Sequence, residues 1–373
     1  MVSMLKLYSR RILCVIGKMD SGGAETMLMK LFRSANKRNI KFDFAVFTED
    51  EGFYDREILS LGGIVYKLGS RKKPMQLIKN YIDLIRKQKY EFVLQSTEKP
   101  HRAIFALLAK WLGVKCVAVR STNSRAFDGK IFNEAEKMLR WIPLLATDVR
   151  FAPSQLAADF LFGSNRNVFI LRNGINLKNY YYASHISHKY KSELGIEDCL
   201  VVGHIGRFEK QKNHIFLMRV FLEIKKMHKK SVLLMVGVGS LEKELQQYAT
   251  ELGISHNVKF LGRRKDIPQL LMAMDVLVFP SLYEGMPNVV IEAQATGLPC
   301  LVSDSITSEC KLTSIVKFLS LQDSATRWAE EAIKYADITD RESYGQKVKD
   351  CGYDINEITD SFLEIMGVVS KNI

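Results

Sequence analysis

Short apolar runs alternate along this chain with longer stretches in which apolar residues recur every three or four positions. "RILCVIG" (11–17) reads as a buried strand. In "AETMLMKLFRSAN" (24–36) Met27, Leu28, Leu31 and Phe32 share one helical face. "FDFAVFT" (42–48) is a strand, "FYDREILSLG" a short helix and "IVYKLG" another strand; "MQLIKNYIDLIRKQK" (75–89) is an amphipathic helix with a basic edge. "EFVLQS" (91–96), "RAIFALLAKWLG" (102–113) and "KCVAVRST" (115–122) read as strand, helix and strand. Strand–helix alternation of this kind predicts a parallel sheet with crossover helices.

Around 165–200 the rhythm breaks into a polar, Tyr/His-rich stretch with an Asn173-Gly174 turn, the expected link between two domains. Alternation then resumes: strands at 199–206, 231–237 and 299–304 and in "VKFLG" and "DVLVFPS", helices at 213–228 and 288–296 and in "LEKELQQYATELG" and "IPQLLMAM", and a helical tail. The expected architecture is α/β, with two Rossmann-like, doubly wound parallel-sheet domains: 1–175, 176–355, and a C-terminal helix at 356–373 that returns to the first domain. The length of 373 residues agrees with two cores rather than one.

Composition narrows the class. Apolar content of 47% and charged content of 25% are globular values. No apolar run approaches the roughly 18 residues that span a bilayer, and the start lacks the apolar core and cleavage site of a signal peptide. Six scattered cysteines without C-x-x-C read as reduced thiols of a cytosolic protein. The net charge of +13 is uneven: residues 1–180 hold 31 Lys and Arg against 16 Asp and Glu, whereas 181–373 hold 23 against 25. A basic first half suits a phosphate-rich partner or an anionic membrane, and also reads as a solvated surface. No aromatic–basic interleaving of the RNA-binding kind accompanies it, so nucleic acid is not an expected partner.

Ligands of open parallel sheets bind beyond the carboxyl ends of strands, and three such loops carry chemistry. "GKMDSGGAE" (17–25) places Gly22 and Gly23 before a helix, where backbone N–H groups reach an anion; a tight turn is the plainer reading. It falls short of a G-x-G-x-x-G fingerprint. "HIGRFEKQKNH" (204–214) offers Gly206 for close approach, with Arg207 and Lys212 converging on a diphosphate or forming a solvated basic loop. "YEGMPNVVIEAQATGLPC" (283–300) holds Glu284 and Glu292. Eight residues of helix rise about 12 Å, whereas glycosidase carboxylates face each other roughly 5–9.5 Å apart across a bond. The pair therefore reads as a grip on hydroxyl groups. No metal-ligand spacing and no G-x-S-x-G elbow occurs, so no metal site is expected.

Together with "RNGINLKNY" (172–180) and "FLGRRKDIPQLLMAMD" (260–275), these segments resemble the retaining glycosyltransferases of family 4, of GT-B type, over nearly the whole chain. The similarity is nearest to capsule and exopolysaccharide members. It implies two domains facing across a cleft, the first binding acceptor and the second a nucleotide sugar, with UDP the expected nucleotide. It implies that Arg207 and Lys212 bind the donor diphosphate. Glu284, with the backbone of Gly285, Met286, Pro287 and Asn288, would contact donor sugar and phosphate, Glu292 the ribose, and the segment around Arg263 the base. Gly22 and Gly23 would belong to the loop that closes on diphosphate and acceptor, and Gly206 to the phosphate loop. Many members carry a histidine after the strand equivalent to 115–119, where this chain reads "VRSTNS"; His101, Arg120 and Asn123 are candidates for that place.

The resemblance implies hexosyl transfer without metal or other cofactor, to an anionic lipid-linked or oligosaccharide acceptor, by a cytoplasmic protein held peripherally at the inner membrane face through its basic half. Two alternatives compete. A UDP-sugar 2-epimerase would need acid/base carboxylates and no acceptor. A non-catalytic nucleotide-sugar-binding subunit would need broken motifs, and none is evident.

Overall fold

The structure is a computed structural model and describes residues 10–20, 22–122, 136–164, 166–338 and 340–370. Asn123 lies outside them. The chain divides into two compact units, one ending at Ile175 and resumed at Tyr353, the other running from Asn176 to Gly352.

The first unit holds strands β1 (Arg11–Ile16), β2 (Lys41–Val46), β3 (Val65–Lys67), β4 (Phe92–Thr97), β5 (Cys116–Ser121), β6 (Val149–Ala152) and β7 (Phe169–Ile170). All pair in parallel, in the order β3-β2-β1-β4-β5-β6-β7. The helices are α1 (Gly23–Asn36), α2 (Asp55–Ser60), α3 (Pro74–Gln88), α4 (Ile104–Trp111), α5 (Trp141–Ala146) and α6 (Gln155–Phe162). Strands covered on both faces must be apolar almost throughout. Among the exceptions, which include Gln95 in β4 and Arg120 in β5, Asp43 in β2 is fully buried but satisfied by Arg11, the Tyr90 hydroxyl at 2.6 Å and the Ile64 N–H at 2.8 Å.

The second unit holds β8 (Leu200–Ile205), β9 (Ser231–Val236), β10 (Val258–Phe260), β11 (Val276–Phe279), β12 (Cys300–Ser303) and β13 (Val316–Leu319), again all parallel, in the order β10-β9-β8-β11-β12-β13. Its helices are α7 (Ser184–Glu193), α8 (His214–Met227), α9 (Glu242–Glu251), α10 (Ile267–Ala273), α11 (Asn288–Ala295), α12 (Ala325–Ala336) and α13 (Tyr344–Asp350). In each sheet the strand order reverses beside the first strand, at β1/β4 and at β8/β11, and such a reversal opens a crevice at the strands' carboxyl ends.

The segment expected as a plain link is more ordered than its polarity suggests. Its first part is β7, the edge strand of the first sheet, and its later part is α7, which packs on α10. The short β7 gives the pattern too few residues to register.

The last helix, α14 (Ile355–Ile365), belongs to the first unit. Phe362 packs on Phe42 and Phe151, and Arg38 pairs with Asp360 at 2.6 Å. Gly174 is explained by this helix. A Cβ there would lie 2.6 Å from Ile358 Cδ1 and 3.1 Å from Ile355 Cα.

Candidate functional site

In the second unit the loops after β8 and β11, the strands flanking the reversal, are bonded to each other. The Leu282 N–H donates to the Gln211 carbonyl at 2.8 Å, and Gln211 Nε2 donates to the Tyr283 carbonyl at 2.8 Å. These bonds bring Lys212 and Glu284 together. Lys212 Nζ donates to Glu284 Oε1 at 2.6 Å, and both side chains are largely buried. The same ammonium lies 4.5 Å from the centre of the Phe279 ring, which adds a cation–π contact. Burial lowers the Lys212 pKa, Glu284 raises it, and the neighbouring Arg207 lowers it further.

Gly206 is where close approach is required. A Cβ would stand 3.0 Å from Lys212 Cε, so a larger residue would displace the lysine. Arg207, next in sequence, is exposed, as is Lys210. Asn213 adopts the left-handed conformation (φ 54°) and turns the chain into α8.

Glu284 lies in the loop ahead of α11 rather than on that helix, so the two glutamates do not follow one another along one element as the spacing suggested. Glu292 is in α11 and half-buried. Its carboxylate accepts a hydrogen bond from the buried Tyr180 phenol, whose pKa is raised by burial and then by this carboxylate. Gly285 is exposed, Met286 and Asn288 half-buried and Pro287 buried. Arg263 is exposed after β10, beside Gly262, whose carbonyl accepts from the Gly237 N–H at 2.9 Å.

Beneath the loop after β8 sits an aromatic stack. His204 is fully buried, its Nδ1 2.9 Å from the Val278 carbonyl and its ring stacked on Phe279. His214 meets it edge-on at 4.7 Å. Burial drives both pKa values down, well below the ordinary range for His204 and to about 4 for His214. His204 is therefore a neutral core residue rather than a ligand contact.

In the first unit Gly22 is the N-cap of α1 and Gly23 its first residue, both exposed. They adjoin a cavity of about 130 Å³ at the carboxyl ends of β1 and β4, lined by Glu25, Phe47, Arg71, Ser96 and Arg102 among others. Arg71 stacks over Phe47 at 5.5 Å, and Arg102 pairs with Glu98. His101 is exposed on a 3-10 turn, with Nδ1 2.7 Å from Glu136 Oε1. Arg120 is buried to 1% exposure in β5, donates to Asn173 Oδ1 at 2.7 Å, and has its pKa lowered to about 10 by burial. The structure thus brings Gly206, Lys212 and Glu284 together in one unit, and does not bring His101 to Arg120.

Sequence reading missed Tyr180, Gln211, Phe279 and Arg341. Tyr180 lies in the Tyr-rich stretch taken as linker. Arg341 is buried, with its guanidinium donating to the carbonyls of Leu271, Met272, Met274 and Thr296 at 2.8 to 3.2 Å. These carbonyls lie at the ends of α10 and α11, where orphan acceptors and the helix dipole both favour a cation. Nothing in the local sequence marks it.

The family model described as Glycosyl transferases group 1 matches residues 187–335. The chain is 32% identical over 374 residues, 97% of each chain, to EpsF of Bacillus subtilis (strain 168), itself named only provisionally as a glycosyltransferase. It is 28% identical over 249 residues, 64% of each chain, to the UDP-Gal:alpha-D-GlcNAc-diphosphoundecaprenol alpha-1,3-galactosyltransferase of Escherichia coli. The solved structure of Anabaena Alr3699/HepE in complex with UDP and glucose superposes with a TM-score of 0.77 at 18% identity, over 96% of this chain and all of that one, so the fold is shared. The chain belongs to the group 1 glycosyltransferases and has their GT-B fold of two parallel-sheet units.

Proposed function

We propose that the protein transfers a hexose-type sugar from a UDP-sugar to an anionic lipid-linked or oligosaccharide acceptor, with retention of configuration, in the biosynthesis of a surface polysaccharide. The observation that carries this reading is the largely buried Lys212–Glu284 pair, which joins the two loops at the strand reversal of the second sheet. Two relatives support it from outside. The Escherichia coli protein is named for a UDP-sugar donor and a diphosphate-linked lipid acceptor, and the Anabaena structure holds UDP and glucose.

In this reading the second unit takes the donor and the first unit the acceptor. The bond between the anomeric carbon and the phosphate oxygen breaks, and negative charge grows on the leaving diphosphate. Arg207 supplies a planar fork and Lys212 a point charge to meet it. Lys212 commits one N–H to Glu284 and has others to give a phosphate. Fixed cations in a partly desolvated site stabilise developing charge without reorganising. Glu284 grips hydroxyls of the transferred sugar and Glu292 those of the ribose. The acceptor hydroxyl forms the new bond from the face the leaving group departs, and its proton passes to the departing diphosphate oxygen. No carboxylate nucleophile and no metal takes part.

The test is UDP release from a panel of UDP-sugars with membrane extract as acceptor source, followed by the anomeric configuration of the product. Retained configuration and release abolished by Glu284→Ala support the reading. Release unchanged by Arg207→Ala and Glu284→Ala, or an epimerised free sugar nucleotide, would refute it.

A further inference from the structure

The pairing of β8 with β11 runs through Val202–Val276 and Gly203–Leu277 and goes no further. On their other edges the same strands stay paired for longer, β8 with β9 to Ile205–Val236 and β11 with β12 to Phe279–Val302. The two strands therefore part at the reversal, just before the loops that carry Lys212 and Glu284. At the next register position the link is a side chain. His204 Nδ1 lies 2.9 Å from the Val278 carbonyl. A carbonyl only accepts, so in the neutral ring Nδ1 carries the hydrogen and Nε2 is bare.

The ring fixed in this way is a floor for the two loops. It stacks on Phe279, the residue after Val278, with centroids 5.5 Å apart and planes 19° apart. The Phe279 ring in turn lies 4.5 Å from Lys212 Nζ. On the other side a Cβ at Gly206 would stand 3.4 Å from His204 Nε2 and 3.3 Å from Lys212 Cδ. The imidazole and the lysine stem thus close on one backbone position. His214, two residues after Lys212, anchors the far end of the loop. Its ring meets His204 edge-on at 4.7 Å and Phe208 edge-on at 5.1 Å.

Packing alone does not call for histidine at these places. His204 is fully buried and His214 2% exposed, and among the described residues no protein group bonds His204 Nε2 or either His214 nitrogen. A buried nitrogen without a protein partner costs stability that a phenylalanine ring would not. What phenylalanine cannot supply is the N–H to Val278.

We infer that His204 is a positioning residue for Lys212 and Glu284: its N–H bridges β8 and β11 where their backbone pairing stops, and sets the Phe279 ring on which the Lys212 ammonium rests. His204 touches no substrate itself. The inference rests on the proposed function in taking a UDP-sugar diphosphate as the group that Lys212 meets. The bridge itself needs no ligand.

The experiment is a double-mutant cycle of His204→Phe with Lys212→Met, read by calorimetric titration with UDP and by urea unfolding. His204→Phe keeps a ring over Phe279 and removes the N–H. It should weaken UDP binding roughly fivefold, the scale of one lost hydrogen bond, and lower the turnover of UDP release more than it raises KM. In the Lys212→Met background the same substitution should change UDP affinity by less than about twofold, because effects that run through one residue do not add. The unfolding free energies should be non-additive likewise. His204→Asn, whose amide N–H falls near the place of Nδ1–H, should recover most of the affinity. Phe279→Leu removes the ring under the ammonium and should couple to Lys212→Met in the same way, which keeps the test decisive if His204→Phe does not fold. Val220→Ala, at a fully buried position on α8, is the control for lost packing and should lower the urea midpoint while binding UDP as wild type. Nitrogen NMR of the histidine-labelled wild type should show His204 neutral with its hydrogen on Nδ1 at pH 7.

Additive cycles, an Nε2–H tautomer, or an asparagine variant no better than phenylalanine would each overturn the inference. A wild type that binds no UDP overturns the transferase reading instead, and the unfolding cycle and the tautomer still decide the role of His204.

Discussion

Lys212 and Glu284, 72 residues apart in sequence, meet at 2.6 Å between the loops that follow adjacent strands β8 and β11. Removing either partner leaves a largely buried charge alone, so each single substitution costs stability as well as chemistry. Lys212→Ala should lower the rate of UDP release by roughly a hundredfold or more, the scale of losing one preorganised charge-stabilising donor. Stability should fall by about 1 to 3 kcal/mol. Steady-state UDP release and urea unfolding of the same variant check both, and a rate within twofold of wild type would remove Lys212 from the mechanism.

Glu292 is oriented by the Tyr180 phenol. Tyr180→Phe keeps the buried ring and removes one donor, a loss of about 1 kcal/mol, or roughly fivefold in affinity. The dissociation constant for UDP should rise by that amount with little change in turnover, and Glu292→Ala should raise it further. Calorimetric titration with UDP decides it. A UDP affinity unchanged in both variants would take Glu292 out of the ribose contact.

If Arg207 and Lys212 neutralise the leaving diphosphate, no divalent cation is needed for that task. UDP release should therefore persist after chelator treatment and dialysis. Activity lost with chelator and restored by magnesium would show that the charge is met another way.

His214 is pushed down to about 4 by burial, helped by the Lys212 charge. The unfolded chain has the ordinary value of 6.5 and so takes up a proton first as the pH falls. This contribution to stability is complete above about pH 6.5 and is lost progressively toward pH 4, about 2 kcal/mol by pH 5. Buried His204 acts in the same direction. Urea midpoints at pH 7 and pH 5 should differ, and His214→Phe should narrow the gap. An equal gap in that variant would assign the acid sensitivity elsewhere.

Arg341 closes the ends of two helices with one guanidinium. Arg341→Met strands four carbonyls and should destabilise the second unit by about 3 to 5 kcal/mol. Trp328 emission during urea unfolding, read in a background with Trp111 and Trp141 replaced by Phe, reports that unit, and an unchanged midpoint would mean that water reaches those carbonyls.

Two sheets of parallel strands were legible because buried strands and amphipathic helices differ in period and length, and "RILCVIG", "SVLLMVG" and "DVLVFPS" show it without ambiguity. The short edge strands β3 and β10 were legible as well, whereas β7, β13 and α5 were not. β7 has two residues, β13 has four with Lys317 among them, and α5 lies between stretches without clear period, so neither pattern nor length separates them from loop. The loop after β8 stood out because it sets Gly206, Arg207 and Lys212 directly behind a strand, a pattern that also reads as a solvated basic loop. The start of α11 agrees with the helix expected at 288–296, but the helical spacing assumed for the two glutamates carried that helix back to Glu284, which the structure leaves in the loop.

What the sequence determined by itself is local: which segments are strands or helices, and which loops carry charge and glycine. What only the tertiary structure decided is partnership. Lys212 with Glu284, Tyr180 with Glu292 and Arg341 with four carbonyls join residues distant in the chain. Periodicity records which face of an element is buried, but not what lies against it, because burial is non-directional while hydrogen bonds and ion pairs need a particular atom at a particular distance.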